Sequence, residues 1–290
     1  MSLKKIKRKL VYRITLIFIA FFRSISLKRA RKIATYVGRL LLLFSKKEKH
    51  ILYANIANTS FDIFPPILIK RLVQNMMYTF AEFIKMAYMD IEDIRSMFTV
   101  KGEDVLKTAL ERGKGVLLMT GHIGNWELLG TYLGKSGYKV NAIYRKPSND
   151  DYDSLIRRFR ALNKVKLIEN SDSWNGSIDA LKKNEILIVL ADQNPKNDSP
   201  KIPFLGKEAS TPKGPALFAI KSKATVICSF VIRTKKGFKI EFKELEYADK
   251  KSLKDKIISI LTALNDVYSD IIRKYPYQWV WFHDRWGLFS

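Results

Sequence analysis

After residue 100 the chain alternates short apolar runs with longer amphipathic stretches, and few folds accept that rhythm. The runs 115–120 (GVLLMT), 139–144 (KVNAIY), 165–169 (VKLIE), 186–191 (ILIVLA), 225–232 (TVICSFVI) and 237–243 (GFKIEFK) have the length and apolar character of strands. Helical spacing fills 103–112, 126–135, 151–162, 174–183 and 213–222 between them. A long last helix over 253–275 sets Leu253, Ile257, Ile260, Leu261 and Leu264 on one side and stops at Pro276. Strand and helix in alternation predict an α/β fold with a mostly parallel central sheet flanked by helices. Ligands gather at the carboxyl ends of the strands in such sheets. His122, Arg145 and Asp192 each follow a strand candidate and are therefore expected on one rim.

The first hundred residues read differently. From about 50 to 98 the spacing of Leu68, Leu72, Val73, Met76, Met77, Phe80, Phe83 and Ile84 is helical, with Pro65-Pro66 marking a break before it. Residues 1–47 hold 14 basic residues and no acidic one, which is over half of a net charge of +24 from 52 Lys and Arg against 28 Asp and Glu. Such an excess favours polyanionic partners: nucleic acid, an anionic membrane or an acidic protein. Two apolar runs lie inside this segment, Ile14–Phe22 between Arg13 and Arg23, and Leu40–Phe44 between Arg39 and Lys46. Neither reaches the ~20 residues of a membrane span. A signal peptide is disfavoured, because Arg23, Lys28, Arg29, Arg31 and Lys32 follow where small residues should be. Residues 1–47 are read as a helical membrane-anchoring segment whose basic flanks meet anionic headgroups, and residues 48–290 as the functional domain. The alternative is two ordinary core helices with basic outer faces.

Several chemistries can be set aside. One cysteine, Cys228, rules out an internal disulfide, and with three scattered histidines it leaves no ligand set for a metal site. There is no GxGxxG and no GxSxG, and Gly130–Ser136 falls one residue short of a phosphate loop. Gly121-His122-Ile123-Gly124 matches a GXXG loop of RNA-binding domains, but a strand stands where a helix is required. What remains is His122 with Glu127 behind a strand and leading into a helix. A carboxylate can hold one imidazole nitrogen, support the imidazolium and aim the other nitrogen at a hydroxyl. Gly121 and Gly124 allow close backbone approach to a substrate, and Asn125 is a natural helix cap. The bland alternative is that His122 caps the helix and Glu127 is solvated.

Gly121-His122-Ile123-Gly124-Asn125-Trp126-Glu127 resembles the H-x4-D/E signature of glycerolipid acyltransferases. Its form is similar to that of the bacterial lipid A secondary (lauroyl/myristoyl) acyltransferases and the related mannoside acyltransferases. Tyr144-Arg145-Lys146-Pro147, Leu190-Ala191-Asp192-Gln193, the stretch from Pro203 to Ala216 and the ending Tyr275–Trp286 resemble further segments of that family, in order. Tyr277 departs from it, standing where the family often has Glu.

The resemblance implies an O-acyltransferase that moves a fatty acyl chain from an acyl carrier protein thioester to a hydroxyl of a lipid A precursor. His122 is then the general base and Glu127 its orienting carboxylate, with no covalent acyl-enzyme and no cofactor beyond the acyl donor. Arg145 suits a phosphate or carboxylate. Asp192 and Gln193 are expected to bond the acceptor or to position Arg145, with a buried structural Asp192 as the alternative. Lys213 with Gly214 is expected to meet phosphate at a helix start, or Thr211-Pro212 simply to cap that helix. The expected partners are acyl carrier protein, anionic membrane lipids and the glycolipid acceptor, at the cytoplasmic face of the inner membrane, with no nucleic acid. Arg157 and Arg158 are candidates for docking the acidic carrier protein, or simply a solvated helix face. Rival readings are the same chemistry on a lysophospholipid or a phosphatidylinositol mannoside with acyl-CoA, a basic nucleic-acid-binding protein, and a non-catalytic membrane scaffold. Trp279, Trp281 and Trp286 are expected to pack or to sit at a membrane interface, and His283 and His50 to be structural.

Overall fold

The computed structural model describes residues 3–43, 45–59, 61, 65–195 and 199–289. Its main sheet has seven strands in the order β1-β9-β8-β2-β5-β3-β4. The strands are β1 (Phe98–Lys101), β2 (Val116–Thr120), β3 (Val140–Tyr144), β4 (Val165–Glu169), β5 (Ile186–Leu190), β8 (Thr225–Thr234) and β9 (Gly237–Glu244). Every neighbouring pair is parallel except β8 with β9. The mostly parallel α/β sheet expected from the alternation is therefore present.

Burial on both faces explains why these strands read as nearly unbroken apolar runs. Leu117 and Met119 of β2 face one core with Leu187 and Val189 of β5. Val116 and Leu118 face the other, with Ile186 and Ile188. The first face is covered by α9 (Ser173–Lys182), α10 (Gly214–Ser222) and α11 (Leu253–Lys274). The second is covered by α6 (Glu103–Glu111) and α7 (Trp126–Lys135). The helix α8 (Asp150–Leu162) lies beside β4.

Two features were not legible. β1 is a four-residue edge strand at the end of a helical stretch, where only alternate residues are partly buried. The hairpin β6 (Lys201–Phe204) and β7 (Lys207–Ser210) forms a separate two-stranded sheet. Pro203 argues against a strand in a central sheet, but an isolated hairpin has free edges that tolerate it.

The N-terminal helices are α1 (Leu3–Ser24), α2 (Leu27–Leu43), α3 (Lys46–Ala57), α4 (Pro65–Met86) and α5 (Ile91–Ser96). Pro65 occupies the first position of α4, where its missing N–H costs nothing. The boundary drawn at residue 47 is not a break in packing. α2 lies directly on α4: a Cβ added at Gly38 would sit 2.3 Å from Met77 Cγ and 2.9 Å from Val73 Cγ1. Ala30 and Ala34 of α2 are buried with Ala81 of α4. α1 buries Ile19 and Phe22 and leaves Ile14, Ile17, Phe18 and Phe21 exposed. No helix among the described residues is long and apolar enough to cross a membrane. Phe44, the end of the second apolar run, lies outside the described residues.

Candidate active site

The site begins with the adjacency of β2 and β5, paired in register from Val116–Ile186 to Thr120–Leu190. Parallel neighbours end side by side, so the residues just past their carboxyl ends meet. His122 and Asp192, 70 positions apart, form a two-point contact. His122 Nδ1 lies 2.9 Å from Asp192 Oδ1, and the His122 backbone N–H donates to Asp192 Oδ2 at 2.9 Å. The indole N–H of Trp279 donates to the same Oδ2 at 2.9 Å. Asp192 is fully buried, while the imidazole keeps 26% of its surface and faces the cleft.

This corrects the role expected for Glu127. The carboxylate on His122 Nδ1 is that of Asp192, whereas Glu127, in the first turn of α7, pairs with Arg160 of α8 at 2.5 Å. Glu127 still lines the cleft and acts on His122 through its charge. Asp192 in turn bonds neither Arg145 nor an open subsite; it is the imidazole's anchor. Burial works against protonation of His122, but the adjacent Asp192 carboxylate, its hydrogen bond and the Glu127 charge together raise the imidazole pKa. Burial likewise disfavours the Asp192 anion. His122, Trp279 and the His122 amide outweigh that and hold the carboxyl below its ordinary range.

The loop carrying His122 is strapped from behind by the C-terminal segment. The Gly124 N–H donates to Gln278 O at 2.7 Å, and the Val280 N–H donates to His122 O at 3.0 Å. This strap delivers Trp279 to Asp192 and buries both Trp279 and Trp281. Of the two roles expected for these tryptophans, packing and a membrane interface, Trp279 and Trp281 take the first, and Trp279 adds a bond to the site that its sequence position does not announce. Asn125 caps α7 as its sequence position suggested, accepting from the Leu128 N–H at 3.3 Å. Its side chain is buried and its amide turns away to Glu82. Gly124 has φ +65°, and a Cβ there would lie 1.9 Å from Val231 O. Gly124 and Asn125 therefore shape the loop from behind and are not among the residues lining the cleft. Gly124→Ala adds a left-handed backbone cost of ~1–2 kcal/mol to a clash with β8. We expect a lowered melting midpoint and at least a tenfold loss of activity, measured by thermal melts beside a transfer assay.

The cleft in front of His122 measures about 530 Å³. Trp126 packs its ring edge-on to the imidazole at 5.0 Å between centroids. Ile143, Val165, Ile188, Leu190 and Gly130 make an apolar lining, and Arg145, Arg160 and Gln193 add polar groups. Arg145, past the end of β3, is exposed and has no ion-pair partner among the described residues. Lys213 is a correction: it lines a separate depression with Lys254 and Ile257, not the His122 cleft. Arg157 is committed to Asp153 and Glu169. His283 is partly buried, and its Nε2 accepts from the Asn194 N–H at 2.9 Å. His50 packs its ring on Phe289. Tyr277 meets the guanidinium of Arg71 at 4.4 Å from its ring centroid, so that position keeps a cationic neighbour without an acid. Cys228 is buried in β8, and burial pushes its thiol up to about 12. No cluster of groups able to hold a metal occurs among the described residues.

Comparison with known proteins identifies the family. The family model of bacterial lipid A biosynthesis acyltransferases matches residues 2–287. The phosphatidylinositol mannoside acyltransferase of Mycolicibacterium smegmatis is 23% identical over 231 residues, covering 77% of this chain and 73% of that protein. A protein of the same name from Mycobacterium tuberculosis is 22% identical over 196 residues, 64% of this chain and 59% of that one. An imidazole held by a buried carboxylate beside an apolar-lined cleft is compatible with acyl transfer to a hydroxyl. The match extends over nearly the whole chain, and this protein belongs to the lipid A biosynthesis acyltransferase family as an O-acyltransferase.

Proposed function

We propose that the protein transfers a fatty acyl chain from a thioester donor to a sugar hydroxyl of an anionic glycolipid at a membrane surface. The observation that carries this reading is His122, tied to Asp192 through Nδ1 and opening through its other side onto a cleft with an apolar lining. His122 Nε2 takes the acceptor hydroxyl proton, and the oxygen attacks the thioester carbonyl. The tetrahedral intermediate collapses with cleavage of the C–S bond, and the thiolate leaving group takes the proton back from the imidazolium. Asp192 fixes the tautomer and supports the transient charge, as carboxylates do for catalytic imidazoles elsewhere. In the first turn of α7 the Asn125 cap takes the Leu128 N–H, which leaves the Trp126 and Glu127 amides as the candidate donors to the oxyanion. Arg145 is assigned to a phosphate or carboxylate of acceptor or donor.

Membrane attachment rests on α1 and α2. Ile17 is 67% exposed and Leu40 59%, on helices whose other residues include half of the net positive charge. Helices that expose apolar side chains beside lysines and arginines, and are too polar to span, suit the plane of an anionic bilayer surface. The cytoplasmic face of the inner membrane is the compartment where the donors are made available, and we assign the protein there.

For the acceptor and donor we put first a lipid A precursor and acyl carrier protein. The names of the relatives above favour a second acceptor, a phosphatidylinositol mannoside, and acyl-CoA is the donor we pair with it in that second reading. Purified protein is to be given each acceptor with each donor, and products identified by mass spectrometry. Transfer to the lipid A precursor from the carrier protein is the expected result. Transfer only to the mannoside would replace the first reading by the second, and transfer with none of the four pairs would overturn both.

A further inference from the structure

Glu82 sits near the C-terminal end of α4, fully buried, and its one carboxylate receives three side chains from three directions. Arg31 of α2 reaches it with Nε at 2.8 Å and Nη2 at 2.7 Å. Arg233 at the end of β8 donates through Nε to both oxygens, at 2.9 and 2.8 Å. The Asn125 amide donates to Oε2 at 2.7 Å. None of these groups lines the His122 cleft. Two guanidinium groups on a single buried carboxylate exceed what a helix contact needs, since an apolar side chain would pack there at no electrostatic cost.

The network leads to the catalytic loop by short steps. Arg233 also donates to Thr79 Oγ1 at 2.6 Å, to Asn75 Oδ1 at 3.1 Å and to Gly124 O at 3.4 Å. Thr79 Oγ1 donates to the same Gly124 carbonyl at 3.1 Å. Gln278, whose carbonyl holds the Gly124 N–H, exchanges two further bonds with the Arg233 backbone. The backbone of Gly124 and Asn125, two and three residues past His122, is thus held from α4 and β8 as well as from the C-terminal strap. Arg31 is the arm on the other side. Its side chain is 27% exposed, and it belongs to the basic helix α2.

We propose that Glu82 is a positioning residue for acyl transfer, tying the seating of the N-terminal helices on α4, through Arg31, to the loop that presents His122, through Arg233 and Asn125. The N-terminal segment is then part of the catalytic apparatus and not only a membrane tether. α2 seated on α4 neutralises Glu82 from the outer side and holds the carboxylate where Asn125 and Arg233 meet it. α2 displaced leaves Glu82 with Arg233 and Asn125 alone, so the carboxylate shifts toward them; the loop stays strapped by Gln278 and Val280 but loses its alignment, and the His122–Asp192 contact loosens. This inference rests on the reading of His122 as the base.

The test uses the full-length protein in detergent micelles with Glu82→Gln and Arg31→Gln. A Gln at 82 offers one acceptor oxygen and turns an NH2 toward groups that are themselves donors. Arg31→Gln leaves Glu82 and Arg233 paired and lies partly in solvent, so it carries the test if Glu82→Gln does not fold. Measured are kcat, KM for donor and acceptor, the pH dependence of kcat, and the His122 imidazole titration by NMR, assigned with a His122→Asn sample. The charged groups around that imidazole are Asp192 past β5, Glu127 on α7, Arg160 on α8, Arg145 past β3 and His283 of the C-terminal segment.

A loop displaced by ~1 Å costs up to about 10²-fold in rate, so kcat is expected to fall by about 10- to 100-fold with both KM values within twofold. Loosening from Asp192 removes what raises the His122 pKa while burial still lowers it. The titration and the acid limb of the rate profile both move to lower pH. A fall in amplitude with neither of them moved would show Glu82 to be a structural contact only, and full activity in both variants would also overturn the proposal. Failure of the wild type to transfer any acyl chain would instead sink the base reading, and the NMR titration would still decide whether Arg31 and Glu82 act on His122.

Discussion

His122→Ala is expected to lower acyl transfer by about 10²–10⁴-fold, the range general bases contribute, while the protein stays folded. No other residue lining the described cleft can take over the step. Its side chains include no serine, threonine or cysteine, and its one hydroxyl, that of Tyr144, is tied to Asp153, Glu169 and Arg157. The single thiol, Cys228, lies in the core of β8 and is held protonated at neutral pH by burial. Glu127 is occupied by Arg160. The fold should bear the change because Asp192 keeps two of its three donors, the His122 backbone N–H and the Trp279 indole. Loss of the third leaves a buried carboxylate less well satisfied, at a cost of about 1–3 kcal/mol. Steady-state transfer rates beside thermal melts check both halves. Retention of more than a tenth of the wild-type rate by a folded variant would remove His122 from the role of base. Direct attack also requires that no acylated protein accumulate in either form, which intact-mass measurement after mixing with donor alone will read.

How far the sequence carried the fold depends on burial. β2, β3 and β5 were legible because both faces of the sheet are covered, which writes the strand into the sequence as a solid apolar run. β1 lies on the sheet's edge and the β6–β7 hairpin stands apart from the sheet, so neither leaves such a run. The rim was legible too, since a residue just past a parallel strand falls on it whatever the strand order. The order itself was not. That β2 lies against β5 and not against β3 is what brings Asp192 to His122, and no local pattern encodes it. Glu127 was the nearer acid in sequence, but five residues on and inside a helix start it turns toward Arg160 instead. Arg160, Glu82 and the bond from Trp279 to Asp192 are illegible for the same reason, each being brought to the loop from an element distant in sequence. Asn125 was half legible: the cap follows from its place before a helix, the bond to Glu82 does not.

Asp192→Asn is expected to be nearly as damaging as loss of the imidazole, and for a reason that can be counted in donors. The carboxylate accepts three hydrogens: from the His122 backbone N–H and the Trp279 indole at Oδ2, and from His122 Nδ1 at Oδ1. An asparagine has one acceptor oxygen for these positions. The two donors at Oδ2 are fixed, one by the backbone and one by a tryptophan packed in the core, so the amide satisfies most groups by placing its oxygen there. Its NH2 then faces His122 Nδ1, which must accept, and the proton moves to Nε2. That tautomer presents a donor where the acceptor hydroxyl needs a base. In other histidine–carboxylate pairs the same exchange costs about 10⁴-fold in kcat with the geometry intact, and a loss of that order is expected here, with KM nearly unchanged. The residual activity should carry a pH signature. Wild-type transfer rises with pH as His122 loses its proton, at a pKa lifted above the ordinary 6.5 chiefly by Asp192. Without that charge, burial is left to lower the value, so the acid limb of the Asp192→Asn profile moves to lower pH even as its plateau collapses. A plateau within tenfold of wild type, or an acid limb that does not move, would mean that Glu127 and not Asp192 sets the state of the imidazole.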